Sequence, residues 1–217
     1  MLKQEAMTGV SEIPLNKKLY RKLFPLGAPM SKLRISNISV YSMTRPYVAD
    51  TIVKYIASLQ GVCPKSMTVT DAFSNVGGAS LAFAKIFGKV QCCELEPLHC
   101  SMLHDNLKAY GVKAHIYCGD YMYLMDKLKQ DIVFLDPPWG GPSYKNYNKI
   151  RLLICGGTVH IGTVIRHLIQ ENLAVYVVLL LPPNLDTDDL IKHTGPLTVK
   201  CIRPVGDKLS IAVFSRG

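Results

Sequence analysis

The sequence predicts an α/β fold, with a mostly parallel seven-stranded sheet, helices on both faces and a short helical N-terminal extension. From Met67 onward, short runs rich in β-branched residues alternate with segments of helical spacing, as crossovers between parallel strands require. The composition, 48% hydrophobic and 19% charged over 217 residues, is that of a globular chain with one substantial core. The last two apolar runs are too close together for a crossover, so one of them should run antiparallel.

Two helices are predicted before the sheet. Residues 15–24 place apolar side chains on one face and basic ones on the other, and this helix should end before Pro25. A second helix should begin with Thr44 as its N-cap and Pro46 in its first turn. We divide the chain into a basic arm with a helical extension, 1–60, and a domain that carries the sheet, 61–217. The predicted strands lie within 67–73, 89–96, 114–120, 131–139, 174–182, 197–204 and 208–216.

Charge is concentrated at the N-terminus. The chain carries 25 Lys and Arg against 16 Asp and Glu, a net charge of +9. Over half of this excess lies in residues 1–34, where Lys17, Lys18 and Arg21 belong to the first predicted helix. A positively charged arm of this kind would attract a polyanion such as RNA in a salt-sensitive way. The alternative is a solvated tail without a partner.

Segments for export or membrane insertion are not apparent. The longest uncharged apolar run, 173–181, has about half the length that a transmembrane helix needs. The N-terminus has acidic residues and no apolar signal core, so we expect an intracellular protein, in the nucleus or the cytoplasm, that is not secreted. The seven cysteines lack paired C-x-x-C spacing, so reduced, buried thiols and no metal site are expected.

Acidic residues stand where four predicted strands end. They are Asp71, Glu94, Asp120 and Asp136. Ligands of doubly wound sheets bind beyond the carboxyl ends of the strands, although each acid alone could merely cap the next helix. The turn after the first strand contains Gly77 and Gly78, which would let a ligand approach the backbone at a helix N-terminus; Glu94 could accept both hydroxyls of a ribose.

The segment DPPWGGPSY, residues 136–144, carries the most specific signal. Two prolines hold an extended backbone without N–H groups, so the Asp136 carboxylate and the Pro137 carbonyl form a pair of acceptors for a planar exocyclic amine. Trp139, the only tryptophan, could stack on the base that carries this amine. A core tryptophan is the less favoured alternative for this turn. Tyr144 and Tyr147 fit a loop facing nucleic acid, and equally an ordinary exposed loop.

At these residues the sequence resembles a class I, Rossmann-like S-adenosylmethionine-dependent methyltransferase, and in particular the trimethylguanosine synthase family of cap hypermethylases. The resemblance rests on DAFSNVGG, CELEP, CGD and DPPWGGPSY in this order, and on YSMTRPYVADTIVKYI before them. It implies transfer of methyl groups from S-adenosylmethionine to the N2 amine of 7-methylguanosine caps, giving 2,7-dimethyl- or 2,2,7-trimethylguanosine. LPPN, with Pro183, replaces a family LPRN segment, so the basic arm would have to contact the cap phosphates.

The resemblance also implies roles for individual residues. It implies action on capped RNA, with catalytic residues Asp136, Pro137 and Trp139. Independently of the resemblance, we expect a monomer. The implied cofactor-binding residues are Asp71, Phe73, Gly77, Gly78, Glu94, Leu95, Asp120, Tyr121 and Asp136. The candidate substrate-binding residues are Trp139 and Tyr144 of the segment DPPWGGPSY, Asn106, which the resemblance places near the guanine, and Lys17, Lys18 and Arg21 of the basic arm.

Two other functions remain open at this stage. DPPW also fits an adenine-N6 or guanine-N2 methyltransferase that acts on internal positions of RNA or DNA. A non-catalytic RNA-binding module on the same fold is the third hypothesis, although intact acids at the strand ends argue against it. A nicotinamide-dependent oxidoreductase is disfavoured because G-x-G-x-x-G is absent.

Overall fold

The structure is a computed structural model that describes residues 9–195, 197–206 and 208–216. The described chain forms two compact units, one over 9–130 and one from Asp131 onward. Seven strands form a mostly parallel sheet, as predicted from the alternating pattern. The predicted boundary after residue 60 does not coincide with this division and stays a prediction.

The unit 9–130 begins with short elements that lead into the sheet. Two strands of two residues each, β1 and β2, pair antiparallel, and three helices of 7, 4 and 12 residues belong to the same part of the chain. These elements are β1 (Glu12–Ile13), α1 (Lys17–Leu23), β2 (Ile35–Ser36), α2 (Ser39–Ser42) and α3 (Pro46–Ala57).

Three parallel strands in the order β3-β4-β5 form the sheet part of this unit. Helices α4 and α5 connect them and α6 follows β5, as the crossover pattern predicts. The bounds are β3 (Thr68–Asp71), α4 (Gly78–Ile86), β4 (Lys89–Glu94), α5 (Pro97–Ala109), β5 (His115–Cys118) and α6 (Tyr121–Leu124).

The unit from Asp131 onward orders its sheet strands β6-β9-β11-β10. β6 and β9 are parallel and every side chain of both is buried, which explains their uninterrupted apolar sequences. β11 runs antiparallel to both its neighbours, so the prediction that one of the last two strands is antiparallel is confirmed. Asp207, which lies between β10 and β11 in the sequence, is outside the described residues. The elements are β6 (Ile132–Leu135), β7 (Leu153–Ile154), β8 (Val159–His160), α7 (Ile161–Gln170), β9 (Tyr176–Leu181), α8 (Thr187–Thr194), β10 (Thr198–Gly206) and β11 (Leu209–Ser215).

Two sequence expectations are wrong. Arg45, not Thr44, is the N-cap of α3, because a residue before proline is held in extended conformation and Pro46 then takes the first helical position. The cysteines are not all buried thiols: Cys63 and Cys155 are exposed, and Cys100 and Cys118 form a disulfide. Packing of α5 on β5 brings these two Cα atoms within 5.8 Å, a proximity that sequence spacing does not reveal.

Among the described residues, no helix is long and apolar enough to cross a membrane.

Candidate active site

Asp71, at the carboxyl end of β3, is almost completely buried. Its Oδ2 accepts a hydrogen bond of 2.6 Å from Ser80 Oγ, and its Oδ1 has no hydrogen-bond partner among the described residues. Burial raises the pKa of this carboxyl group to about 6, although the Ser80 hydrogen bond acts in the opposite direction. A buried acceptor without a donor is costly unless water or a ligand satisfies it, so Asp71 remains a candidate ligand-binding residue.

Replacing Asp71 with Asn should stabilise the protein at neutral pH. The folded pKa lies above the unfolded value near 3.8, so the protonated wild-type carboxyl favours folding at low pH, and this contribution is lost as pH rises from about 4 to 6. An uncharged amide does not lose this contribution. Above pH 6 the substitution should therefore raise the free energy of unfolding relative to wild type, by up to about 3 kcal/mol more than it does at low pH. Urea unfolding at pH 4 and pH 7.5 measures the difference. Equal effects of the substitution at both pH values would contradict the assigned cost of burial.

The turn between β3 and α4 depends on its two glycines. Gly77 has φ +105° at the N-cap of α4, a left-handed conformation that favours glycine. A Cβ on Gly78 would lie 2.5 Å from the carbonyl oxygen of Thr44. The turn therefore brings the chain before α3 against the first residue of α4, and no side chain separates them.

Glu94, at the carboxyl end of β4, organises this turn. Its Oε2 accepts a hydrogen bond from the backbone N–H of Asn75 at 2.7 Å, and its Oε1 accepts one from the N–H of Glu96 at 2.8 Å. Each carboxylate oxygen has a second lone pair, so the group can still accept two ligand hydroxyls. Leu95 beside it is 64% exposed, an apolar surface that a flat base could cover.

Asp120 and Tyr121 follow β5 and have partly structural roles. Asp120 accepts a hydrogen bond of 2.9 Å from the N–H of Met122 and is the N-cap of α6. Tyr121 is buried, donates its hydroxyl hydrogen bond to Gln130 at 3.3 Å, and has its ring 6.4 Å from that of Phe73. Parallel register nevertheless places the ends of β3, β4 and β5 side by side, so Asp71, Glu94 and Asp120 lie along one edge.

A hydrogen-bonded chain of side chains, missed by the sequence analysis, supports this edge. Ser39 Oγ donates to Asn75 Oδ1 at 2.6 Å, and Ser36 Oγ lies 2.8 Å from both Ser39 Oγ and His99 Nε2. His99 is fully buried, with Nδ1 3.6 Å from Glu94 Oε1. These residues are separated by up to 63 positions, and no local pattern marks them.

Asn106 does not support the contact with guanine that the resemblance implies. It is fully buried in α5; its Oδ1 accepts from the N–H of Arg34 at 2.8 Å and its Nδ2 donates to the carbonyl oxygens of Arg34 and Val76. Full burial and hydrogen bonds from both ends of the amide to backbone favour a structural role, and the contact with guanine stays a prediction. Asn106 ties β2 and the glycine turn to α5.

In the other unit, Asp136 and Pro137 follow the buried strand β6. Asp136 is half-buried, Pro137 is buried and Pro138 is exposed. Trp139 is half-buried, so it is not the core tryptophan of the less favoured alternative. Its indole Nε1 is nevertheless shielded from solvent and has no hydrogen-bond partner among the described residues. An indole N–H in this state is expected to find a partner when a ligand binds.

The loop after Trp139 is held by Asn184. The rings of Trp139 and Tyr144 meet edge to face with centroids 5.3 Å apart. Asn184 Nδ2 donates to the carbonyl oxygens of Tyr144 at 2.9 Å and Tyr147 at 2.7 Å. Sequence reasoning singled out Pro183 in this LPPN segment and missed its neighbour, although an amide side chain beside two prolines is a usable signal for a loop anchor.

The basic residues predicted to bind substrate lie on α1. Lys17, Lys18 and Arg21 are exposed, whereas Leu23 at the end of the helix is buried. The Tyr20 hydroxyl donates to the carbonyl oxygen of Ala28 at 3.0 Å and fixes the helix. The arm therefore presents a fixed cationic face within the unit 9–130.

One cluster of metal-ligand residue types occurs among the described residues, His160, Asp189 and His193. The backbone N–H of Gly162 donates to His160 Nδ1, so His160 Nε2 carries the proton and donates to Asp189 Oδ2 at 2.8 Å. The two imidazole rings stack with centroids 3.8 Å apart. These bonds join the start of α7 to α8, and a metal ion at Nε2 would have to displace that proton.

The comparisons with known proteins agree with these features. A sequence profile of the family described as RNA cap guanine-N2 methyltransferase matches residues 66–204. An uncharacterized protein of Acanthamoeba polyphaga mimivirus is 37% identical over 62% of this chain and 54% of its own length. The trimethylguanosine synthase of Schizosaccharomyces pombe is 34% identical over 49% of this chain and 46% of its own length. The chain thus spans about half the length of the curated relatives it matches.

Solved structures show the same fold. A putative methyltransferase from Porphyromonas gingivalis W83 matches 91% of this chain and 47% of its own, with a TM-score of 0.65 and 16% identity. A 16S rRNA N2 methyltransferase of T. thermophilus, in complex with AdoMet and guanosine, matches 84% of this chain and 44% of its own, with a TM-score of 0.56 and 13% identity. The family profile covers well over half of the chain, and the sheet is that of a class I methyltransferase. The chain therefore belongs to the RNA cap guanine-N2 methyltransferase family.

Proposed function

We propose that the protein transfers methyl groups from S-adenosylmethionine to the N2 amine of 7-methylguanosine caps on RNA, giving 2,7-dimethyl- or 2,2,7-trimethylguanosine. The observation that carries the proposal is the segment after β6, where Asp136 and Pro137 precede a half-buried Trp139 whose indole N–H has no partner in the described part of the chain. Membership of the cap guanine-N2 methyltransferase family selects this substrate over other amines.

Residues at the carboxyl ends of β3, β4 and β5 in the unit 9–130 fit the binding of S-adenosylmethionine. Glu94 retains lone pairs for the two ribose hydroxyls, and Leu95 offers an exposed apolar surface for the adenine. Asp71 Oδ1 is a buried acceptor without a donor among the described residues, and the glycine turn opens the N-terminus of α4. Phe73, Asp120 and Tyr121 complete the proposed cofactor residues. When bound, the cofactor supplies an electrophilic methyl group.

The segment after β6 would hold the amine. The N2 lone pair of guanine is delocalised into the ring, so the amine is a weak nucleophile. Asp136 Oδ and the carbonyl oxygen of Pro137 would accept its two hydrogens and orient its lone pair toward the methyl carbon; positioning of this kind is worth up to roughly 7 to 11 kcal/mol. As the bond from the amine nitrogen to the methyl carbon formed, the bond from that carbon to the cofactor sulfur would break and its electron pair would go to the sulfur; Asp136 would stabilise the positive charge gained by the nitrogen. The proton then leaves to solvent, so a strong base is unnecessary.

Trp139 would select caps already methylated at N7. A 7-methylated guanine is cationic, and a cation over an indole face gains about 0.5 to 2 kcal/mol. Tyr144 meets Trp139 edge to face and would keep the indole plane in place while the base enters. Lys17, Lys18 and Arg21 would contact phosphates of the capped RNA, since α1 holds them in a fixed exposed row.

Mass spectrometry of a 7-methylguanosine-capped RNA after incubation with protein and S-adenosylmethionine tests the proposal. A mass gain of one or two methyl groups on the cap nucleotide is expected. Uncapped RNA of the same sequence should gain none. Methylation of internal adenine or guanine would support the internal-position alternative instead, and failure to bind the cofactor would support the non-catalytic one. We further propose that the protein acts as a monomer inside the cell, in the nucleus or the cytoplasm, where capped RNA is found.

Glu94→Gln should weaken cofactor binding by about 10- to 100-fold, because one of two charge-assisted hydrogen bonds to the ribose is lost, about 1.5 to 3 kcal/mol. The glutamine oxygen can still accept one backbone N–H, which limits the damage to the fold. Calorimetric titration with S-adenosylmethionine measures the change. Glu96→Gln is the matched control, since Glu96 caps α5. If Glu94→Gln bound the cofactor as tightly as that control, the proposed hydrogen bonds from the ribose hydroxyls to Glu94 would be contradicted.

A further inference from the structure

The unit 9–130 has an open sheet face, distinct from the edge where the proposed cofactor residues lie. It is a cavity of about 400 Å³ at the amino-terminal side of β3, β4 and β5. Its lining includes Thr68, Lys89, Gln91, Lys113, His115 and Tyr117. In open α/β sheets, ligands generally bind at the opposite side, beyond the carboxyl ends of the strands.

Strand register explains why these side chains share one face. Gln91 is the register partner of His115, and Thr70 Oγ1 donates to Gln91 Oε1 at 3.0 Å. His115 and Tyr117 are two residues apart on β5, so they point to the same side, and their ring centroids lie 4.5 Å apart. The face thus carries a pair of adjacent rings flanked by an amide.

The length of α6 leaves this face open. α5, with 13 residues, contacts β4 and β5, whereas α6 has only four residues. Tyr121, in α6, lies beside the buried Cys93. Cys93 belongs to the same row of side chains as Gln91, nearer the carboxyl ends of the strands. Closer to the amino ends, Lys89 and His115 are exposed. A strand face covered by a full helix would be apolar, and this one is polar, aromatic and basic.

The chemistry of the face fits a single-stranded nucleic acid. Lys89 and Lys113 are exposed cations, and no Asp or Glu occurs among the nine described residues that line the cavity. Aromatic rings on an open sheet stack with unpaired bases, and lysines bind the backbone phosphates. A site of this kind binds single strands of many sequences. Charge complementarity therefore identifies a polyanion, and the rings distinguish RNA from an acidic peptide.

We propose that this face binds a single-stranded segment of the RNA substrate, with bases on His115 and Tyr117 and phosphates on Lys89 and Lys113. The proposal rests on the proposed function only in choosing RNA as the nucleic acid. It predicts that the body of the RNA contributes affinity that a cap dinucleotide cannot reach.

Fluorescence anisotropy with a labelled, uncapped RNA of about 12 nucleotides tests it, since such single-stranded sites span several nucleotides. Lys89→Ala/Lys113→Ala should lower affinity about tenfold and reduce the salt-dependence slope by about 1.4, which is about 0.7 per lost phosphate contact. His115→Ala should lower affinity for RNA about fivefold and leave binding of poly-glutamate unchanged. The matched control is Lys54→Ala/Lys85→Ala, which removes exposed lysines of α3 and α4.

Methylation assays separate this proposal from the proposed function. The double variant at 89 and 113 should methylate a 7-methylguanosine cap dinucleotide at the wild-type rate and show a raised KM only for long capped RNA. Three results would overturn the proposal. They are an equal loss of RNA affinity in the control variant, wild-type RNA affinity in the double variant, and an equal loss of affinity for RNA and for poly-glutamate in His115→Ala. A wild-type protein that binds uncapped RNA at this face and methylates no cap would refute the proposed function alone.

Discussion

Trp139→Ala is expected to abolish detectable methyl transfer. The substitution removes base stacking worth about 1 to 3 kcal/mol and a cation–π contribution of about 0.5 to 2 kcal/mol. It also removes the surface against which the amine is oriented, and small misplacement of a reacting group alone can cost about 100-fold. Together these losses predict a fall of about 1000-fold or more in kcat/KM, measured with a 7-methylguanosine cap dinucleotide.

Three controls make the result specific to Trp139. Trp139→Phe keeps an aromatic face and should lose less activity than the alanine variant. The preference for 7-methylated over unmethylated caps should shrink in both variants, because the cation–π contribution is weakened. S-adenosylmethionine binding and the thermal midpoint should stay close to wild type, since the indole is half-buried outside the unit 9–130. Near-normal activity of Trp139→Ala would remove this residue from the site.

The fluorescence of the protein offers a direct measurement of the same contact. Trp139 is the only tryptophan in the chain, so intrinsic indole emission reports on this position alone. Titration with 7-methylguanosine triphosphate should change that emission. Unchanged emission at concentrations that inhibit methylation would contradict stacking on the indole.

Asp136→Ala should lower kcat by about 100- to 1000-fold, the range seen when one preorganised electrostatic group of an active site is removed. The loss belongs to kcat because the carboxylate is most needed when positive charge develops on the amine nitrogen. Cofactor affinity should change less than turnover. Steady-state kinetics at saturating cofactor and calorimetry with S-adenosylmethionine separate the two effects.

Asp136→Asn and Asp188→Ala are the informative companions of this variant. Asparagine keeps one acceptor oxygen for the amine and loses the charge, so its turnover should lie between alanine and wild type. Asp188 is an exposed acid of the same unit, and its removal should leave kcat unchanged. An Asp136→Ala enzyme with normal turnover would contradict the assigned role, and a loss confined to cofactor affinity would reassign Asp136 to cofactor binding.

Much of the fold could be predicted because the information is local. Uninterrupted apolar strands such as Tyr176–Leu181 indicate burial on both faces, and the short connection before Leu209 leaves no room for a crossover. Motif order along these strands also indicated the family, which the match over 66–204 confirms. The N-cap of α3 is also set locally: Pro46 restricts its predecessor, Arg45, to an extended conformation, so Arg45 and not Thr44 caps the helix.

The sequence by itself determined which residue types stand at the strand ends. They are acids at the ends of β3 and β4 and shortly after β5 and β6, glycines where α4 begins, and DPPW after an apolar strand. Only the tertiary structure decided how those side chains are used. It assigns both ends of the Asn106 amide to backbone groups, joins Cys100 to Cys118, and sets Asn184 against the loop of Tyr144. Spacing along the chain constrains neighbours within a few residues. Burial and hydrogen-bond partners across tens of residues depend on packing, because most buried polar groups are paired with groups that are close in space and distant in sequence.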